Sequence, residues 1–317
     1  MNLAEHVIDA RRFWPGEAIE KRPLAIVELA EGIEAADIAL PPYPVIGIGD
    51  SAHPLACSLD AVIEPPVKLE GVVRQIVANP LAAAAIVRLL RILPVLTPEQ
   101  GLVAESMAYA MLQGSDEHKH WLAARRSSKE LAQPGAVRLD RVGRTLIVTL
   151  DRPESRNAID SGMRDGLHDA FVLAALDDDI LNVTLRAQGR AFSLGADLDE
   201  FGTTTDPASA HAIRSLTLPA LGALRCTEKL EAHVQGACVG AGLELAAYAA
   251  RLCATSDAWF QLPELAMGIL PGAGGCVSLI RRIGRQRTAL MILSGKRLSA
   301  RQALAWGLID RIADDVS

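Results

Sequence analysis

No long block of lysine or arginine interrupts this 317-residue chain, whose formal net charge is −6. Nucleic acid and anionic membrane surfaces are therefore poor partners, because both need a concentrated positive patch. Cysteine is sparse: Cys57, Cys226, Cys238, Cys253 and Cys276 are scattered, odd in number and never spaced Cys-x-x-Cys. That argues against a disulfide framework or structural zinc and for a reducing cytoplasmic location. Among the histidines only His118 and His120 stand close together, too close to share a helix face, so no metal is expected. Ser193 lacks Gly-x-Ser-x-Gly surroundings, which excludes the usual serine hydrolase elbow. The first residues carry Glu5, Asp9, Arg11, Arg12, Glu17 and Glu20 and no apolar core, so no signal peptide is expected. The most apolar run, Pro80 to Leu96, is broken by Arg88, Arg91 and Pro94 and cannot span a bilayer. Half of the chain is apolar, enough for one large core or two modest ones in a soluble protein.

Three regions follow from the patterning. Residues 1–66 mix short β-like runs (Leu24–Leu29, Val45–Ile48, Ala61–Ile63) with Pro-rich joints and read as a degenerate α/β lobe. Residues 67–132 read as helical, with stripes at Val72/Val73/Ile76/Val77 and Ile86/Leu89/Leu90/Leu93. Thr97-Pro-Glu-Gln100 predicts a capped helix start, running to about Leu112 and stopping at Gly114. Gln133-Pro-Gly-Ala136 reads as a linker, and residues 133–317 then alternate strand and helix. Strands are predicted at Thr145–Leu150, Asn182–Ala187, Glu231–Val234 and from Arg251. Helices are predicted at Ile159–Leu176, Leu243–Ala250, Gly284–Leu293 and Ala300–Trp306. Such alternation implies a layered α/β core with ligands at the strand ends.

Two carboxylates stand out because their surroundings do not suit them. Glu244 is the only formal charge between Gly236 and Ala250, and Glu264 lies in the apolar, Gly-rich stretch Phe260–Gly275. Burying a carboxylate costs several kcal/mol unless it is hydrogen-bonded or its pKa rises. Two such groups together are what acid–base chemistry on a small molecule requires. Segments 189–198, 235–244 and 263–275 each place small residues where a strand gives way to a helix or loop, so backbone N–H groups can approach a ligand. Taken singly, such glycines are ordinary turn residues, and Glu244 alone fits a buried glutamate satisfied by backbone. Gly236-x-x-x-Gly240-x-Gly242 also fits a nucleotide-loop spelling, but too little chain follows to complete a dinucleotide fold.

All three segments, in this order and spacing, resemble the crotonase superfamily of enoyl-CoA hydratases and isomerases over roughly residues 135–313. Asp151-Arg-Pro-Glu-Ser-Arg-Asn-Ala158 resembles the family's entry to its first helix, and Ser294–Ile309 the segment before its C-terminal helices. The implied fold is α/β, a crotonase-like (ββα spiral) core with an N-terminal partly helical region. By position the resemblance assigns oxyanion-hole N–H groups to Ala196 and Ala241 and catalytic roles to Glu244 and Glu264. It places Arg156, Ala158, Ala196, Asp197 and Leu198 where the family cradles coenzyme A. The usual triple glycine reads Gly240-Ala241-Gly242 here, so Ala241 must be able to adopt the needed backbone angles.

The architecture departs from the family. The helices expected beyond the core resemble the earlier stretches Pro80–Ala84, Leu96–Glu105 and Ser115–Arg126, as if the tail of one unit preceded the core of another. Arg125 then matches the family's basic residue near the CoA phosphate. The resemblance implies an enoyl-CoA hydratase, with an enoyl-CoA isomerase or a non-catalytic CoA-ester-binding subunit as alternatives. No cofactor is expected beyond coenzyme A as part of the substrate. The wide apolar helical faces of 67–127 predict a homotrimer or a dimer of trimers.

Overall fold

The computed structural model describes residues 2–13, 20–30, 38–125 and 134–314. Strands β1 (Ala25–Leu29), β2 (Val45–Gly49) and β3 (Ala61–Val62) form a parallel three-stranded sheet with its own small core around Phe13, Val27, Leu55 and Leu59. Helices α1 (Leu69–Ala78), α2 (Pro80–Ile92), α3 (Pro98–Gln113) and α4 (Asp116–Ala124) follow. Thr97 accepts from Gln100 N and the Gln100 side chain answers the Thr97 N–H, which gives α3 the capping box read from sequence. The segment 126–133, including Gln133 of the expected linker, lies outside the described residues.

The rest of the chain builds two further sheets among the described residues. Strands β4 (Ala136–Val142), β5 (Thr145–Asp151), β6 (Asn182–Ala187), β7 (Leu230–Val234), β9 (Arg251–Ala254) and β12 (Arg311–Ile312) lie in the order β12-β9-β7-β6-β5-β4. Only the β4–β5 pair is antiparallel. Strands β8 (Ala237–Val239), β10 (Trp259–Gln261) and β11 (Leu298–Ser299) form the smaller sheet. Between the strands run α5 (Ser161–Leu176), α6 (Pro207–Thr217), α7 (Pro219–Arg225), α8 (Ala241–Ala246), α9 (Gly275–Ser294) and α10 (Ala300–Trp306).

The local causes are plain. Asp160 caps α5 by accepting from Met163 N, and α5 buries Met163, Leu167, Ala170, Phe171 and Ala174 at helical spacing. Gly222 on α7 lets the two helices touch, since a Cβ there would come within 2.7 Å of the Phe171 Cβ. Two expectations shift. The chain from Ala136 is strand β4, an exposed edge whose polar outer surface hid it. Helix α9 begins at Gly275, and Gly284 (φ 78°, ψ 165°) is a break within it rather than its start.

One continuous apolar core joins α1–α3 to the large sheet, with Ile76, Ile86, Leu90, Leu102, Val148, Phe171 and Leu290 all in it. The first sheet joins the same core through Ile26, Ile46 and Ala61 and is tied on by charge as well. Buried Asp60 accepts from Val45 N and from Arg91 Nη2 (2.6 Å), and Arg285 Nη1 stands 3.6 Å away. No single helix among the described residues is long and apolar enough to cross a membrane.

Candidate active site

Two loops meet above the ends of β6 and β8. Ser193 bridges to Cys238, and its buried hydroxyl donates to Asn157 O (2.7 Å) while accepting from Gly195 N (3.1 Å). Ala196 bridges to Ile159, through Ile159 N to Gly195 O and Asp197 N to Ile159 O, both 2.8 Å. The Gly189–Leu198 loop is thus pinned on both sides. Opposite it, Gly240 takes φ 48° and ψ −127°, a conformation suited to glycine, and a Cβ there would stand 2.7 Å from Glu264 Oε1. Ala241 follows as the first residue of α8 without positive φ, so alanine fits the position unstrained. Ala196 and Ala241 both line one cavity of about 230 Å³, and neither N–H meets an acceptor among the described residues.

Glu244 and Glu264 line the same cavity from different elements and in opposite states of satisfaction. Glu244, on α8, is buried, and its Oε2 accepts from Ala273 N (2.7 Å) and Gly275 N (2.9 Å) at the start of α9. Glu264 opens a short 3-10 turn after β10, and its Oε2 is buried with no partner. Burial pushes both carboxyls up from the usual carboxylate range. For Glu244 the two backbone N–H groups pull back toward the anion; Glu264 is driven further up by the neighbouring charge of Glu244.

A third carboxylate, unmarked in the sequence reading, completes the cluster. Glu105 on α3 is 1% exposed, and its two oxygens accept from Gly274 N (2.7 Å) and Cys276 N (2.8 Å). Burial and the nearby Glu244 push its carboxyl up as well. Tyr109, one turn further along α3, packs its ring on Gly272, where a Cβ would lie 2.3 Å from Tyr109 Cδ2. The helical segment that precedes the core in sequence therefore forms part of the cavity wall. A polar face of Glu105, Ser106, Tyr109 and Gln113 at helical spacing was the available signal.

The remaining expected residues divide. Asp197 and Leu198 line the cavity. Asp197 Oδ2 accepts from the buried Arg152 guanidinium (2.7 Å), and Oδ1 accepts from Asp199 N, so this carboxylate braces its loop. Arg156 (φ 53°) turns the chain ahead of α5 and Ala158 O accepts from Arg152 Nη1, but neither residue lines the cavity. Arg125, at the end of α4, is also outside it. It pairs with Asp199 (3.7 Å), lies 5.9 Å from the Trp121 ring centroid, and keeps a buried Nη1 without a partner. Among the described residues no group of three or more His, Cys, Asp or Glu side chains is placed to hold a metal ion.

Layered strand–helix turns, two loops presenting open N–H groups, and paired buried glutamates beneath them define the crotonase superfamily of acyl-CoA enzymes. Residues 143–316 match the enoyl-CoA hydratase/isomerase family model, and this chain belongs to that family. It is similar to 2,3-dehydroadipyl-CoA hydratase of Escherichia coli, 36% identical over 174 residues, 55% of this chain and 68% of that protein. A mevalonyl-coenzyme A hydratase of Aspergillus fumigatus is 33% identical over 53% of this chain and 63% of its own length. The crystal structure of enoyl-CoA hydratase from Thermoplasma volcanium aligns at a TM-score of 0.51 with 38% identity, over 56% of this chain and 72% of that one. The chain thus spans about two thirds of the length of these relatives.

Proposed function

We propose that this chain hydrates 2-enoyl-CoA thioesters, adding water across the double bond conjugated to the thioester carbonyl. The observation that carries this is the contrast between Glu244, anchored by two N–H groups, and Glu264, buried with an unpartnered Oε2, in one cavity. The carbonyl oxygen accepts from Ala196 N and Ala241 N, which stabilises the enolate-like transition state; each such donor contributes about 3 kcal/mol. Glu244, whose anion is favoured by two donors at the N-terminal end of α9, takes a proton from water as its oxygen bonds to C3. Glu264, whose buried Oε2 has no partner, is held as the acid and delivers its proton to C2. The product is a 3-hydroxyacyl-CoA, and proton exchange with solvent resets the pair.

Asp197 and Leu198 at the cavity mouth, with Arg156, Ala158 and Arg125 beside it, cradle coenzyme A, which is part of the substrate. Arg125 lying against Asp199, next to Leu198, supports that placement. For assembly we propose a homotrimer or dimer of trimers. Val103, Met107 and Met111 form an exposed apolar stripe along α3, and Leu216 is exposed on α6. A monomer by light scattering at micromolar concentration overturns this assembly. The reaction is tested with a panel of enoyl-CoA thioesters, following loss of the conjugated-thioester absorbance. No hydration of any 2-enoyl-CoA, with double-bond migration in a 3-enoyl-CoA, would assign the isomerase reaction instead.

A further inference from the structure

The proposed chemistry leaves two cavity-lining cations unused, Arg164, which pairs with Asp165 at 2.7 Å, and Arg214. Arg214 on α6 is half-buried and lines the cavity together with Tyr109 and Gln113 of α3. Its hydrogen bonds go only to neutral oxygens. Nε donates to Ser106 Oγ (3.2 Å), Nη1 and Nη2 to Gln113 Oε1 (3.2 Å each), and Nη2 to the Ser106 carbonyl (3.5 Å). A guanidinium meeting a carboxylate makes bonds of roughly 2.7–2.9 Å, commonly two in parallel. Three other buried or half-buried arginines do meet an acid: Arg91 with Asp60 at 2.6 Å, Arg152 with Asp197 at 2.7 Å, Arg282 with Asp310 at 3.0 Å. Arg214 has no carboxylate within ion-pair distance among the described residues. Glu105 acts on it through space, but both Glu105 oxygens are engaged by Gly274 and Cys276.

The position of the cation gives it a purpose. Its guanidinium carbon lies 4.3 Å from the centroid of the Tyr109 ring, and that ring packs on Gly272, next to the Ala273 N–H that holds Glu244. The charge therefore stands one aromatic ring beyond the acid–base pair, with Leu218, Met267 and Ile269 in the same cavity wall. An acyl group held at Glu244 and Glu264 meets apolar surface first and a cation after it. We propose that Arg214 receives a carboxylate at the far end of the acyl group, so that the preferred substrates are CoA monothioesters of unsaturated dicarboxylic acids. This rests on the hydratase reading and names its substrate class.

The test compares trans-2-hexenedioyl-CoA, which ends in a free carboxylate, with trans-2-hexenoyl-CoA, which ends in a methyl group at the same length. The wild-type kcat/KM is expected to favour the dicarboxylic thioester at least tenfold. Arg214→Gln is expected to lower that ratio at least tenfold. Gln113→Glu sets a fixed carboxylate on Nη1 and Nη2 while leaving the guanidinium in place, and is expected to lower the ratio comparably. Should Arg214→Gln fail to fold, the wild-type ratio and Gln113→Glu still decide. Equal wild-type values for the two thioesters overturn the inference and leave the hydratase standing. So does a ratio that survives both variants, as it would if Arg214 only balanced the charge of the glutamates. If the wild type hydrates neither these nor any other 2-enoyl-CoA, the hydratase reading falls and the inference with it.

Discussion

Glu105 and Glu244 draw on alternate N–H groups of one stretch of backbone. Ala273 and Gly275 donate to Glu244, and Gly274 and Cys276 donate to Glu105. One carboxylate comes from α8 inside the core, the other from α3 far upstream. The start of α9, where helical N–H groups lack partners of their own, is the anion-favouring end that both exploit.

Glu264→Gln keeps the shape of the side chain and removes its transferable proton. Turnover of crotonyl-CoA is expected to fall by about 10²–10⁴ with CoA-ester affinity little changed. Steady-state kinetics with a parallel binding titration checks this; full activity in the variant would remove Glu264 from the mechanism.

The pH profile of kcat/KM is expected to be bell-shaped. Below the Glu244 value, pushed up to about 7, that carboxyl is protonated and cannot take the proton of water. Above the still more strongly raised Glu264 value, the acid has lost its proton. The apparent values belong to the coupled cluster rather than to single residues. Glu244→Gln is expected to slow hydration by about 10² or more and to erase the rising limb. A rising limb that persists in this variant assigns it to another group.

Ala241→Pro removes one proposed oxyanion donor at a position that tolerates proline. It is the first residue of α8, where the N–H has no helical partner, and the preceding Gly240 is permissive of unusual backbone angles. Turnover is expected to drop about 10²-fold or more in a folded protein, as judged by circular dichroism. Unchanged turnover would mean that the carbonyl binds elsewhere.

Glu105→Gln replaces an acceptor oxygen with an amide group, leaving one of the Gly274 and Cys276 N–H groups unanswered at a cost of about 1–3 kcal/mol. The folded-state pKa of Glu105 is raised from 4.5 to about 8, so its stabilising effect is complete below about 4.5 and is lost as pH rises toward 8. The variant's deficit relative to wild type is therefore expected to be larger at pH 5 than at pH 8 by urea unfolding. A deficit that grows with pH contradicts the raised value.

What sequence alone determined here is whatever depends on near neighbours. A lone carboxylate in an apolar run has no surface to face, so Glu244 and Glu264 were legible. So were the capping box at Thr97 and the buried β-branched strands β5 and β6, because each announces itself within a few residues. Strand β4 escaped because an exposed edge needs no apolar alternation, and the start of α9 escaped because its glycines resemble a loop. Tertiary structure decided the rest. Glu105 reaches Gly274 across 169 residues, and Arg214 reaches Gln113 across 101. The polar face of α3 marks Glu105 and Gln113, but no local periodicity names the partner of either. A hydrogen bond between distant segments depends on how helices pack, and packing is set by the whole apolar core rather than by the residues that it brings together.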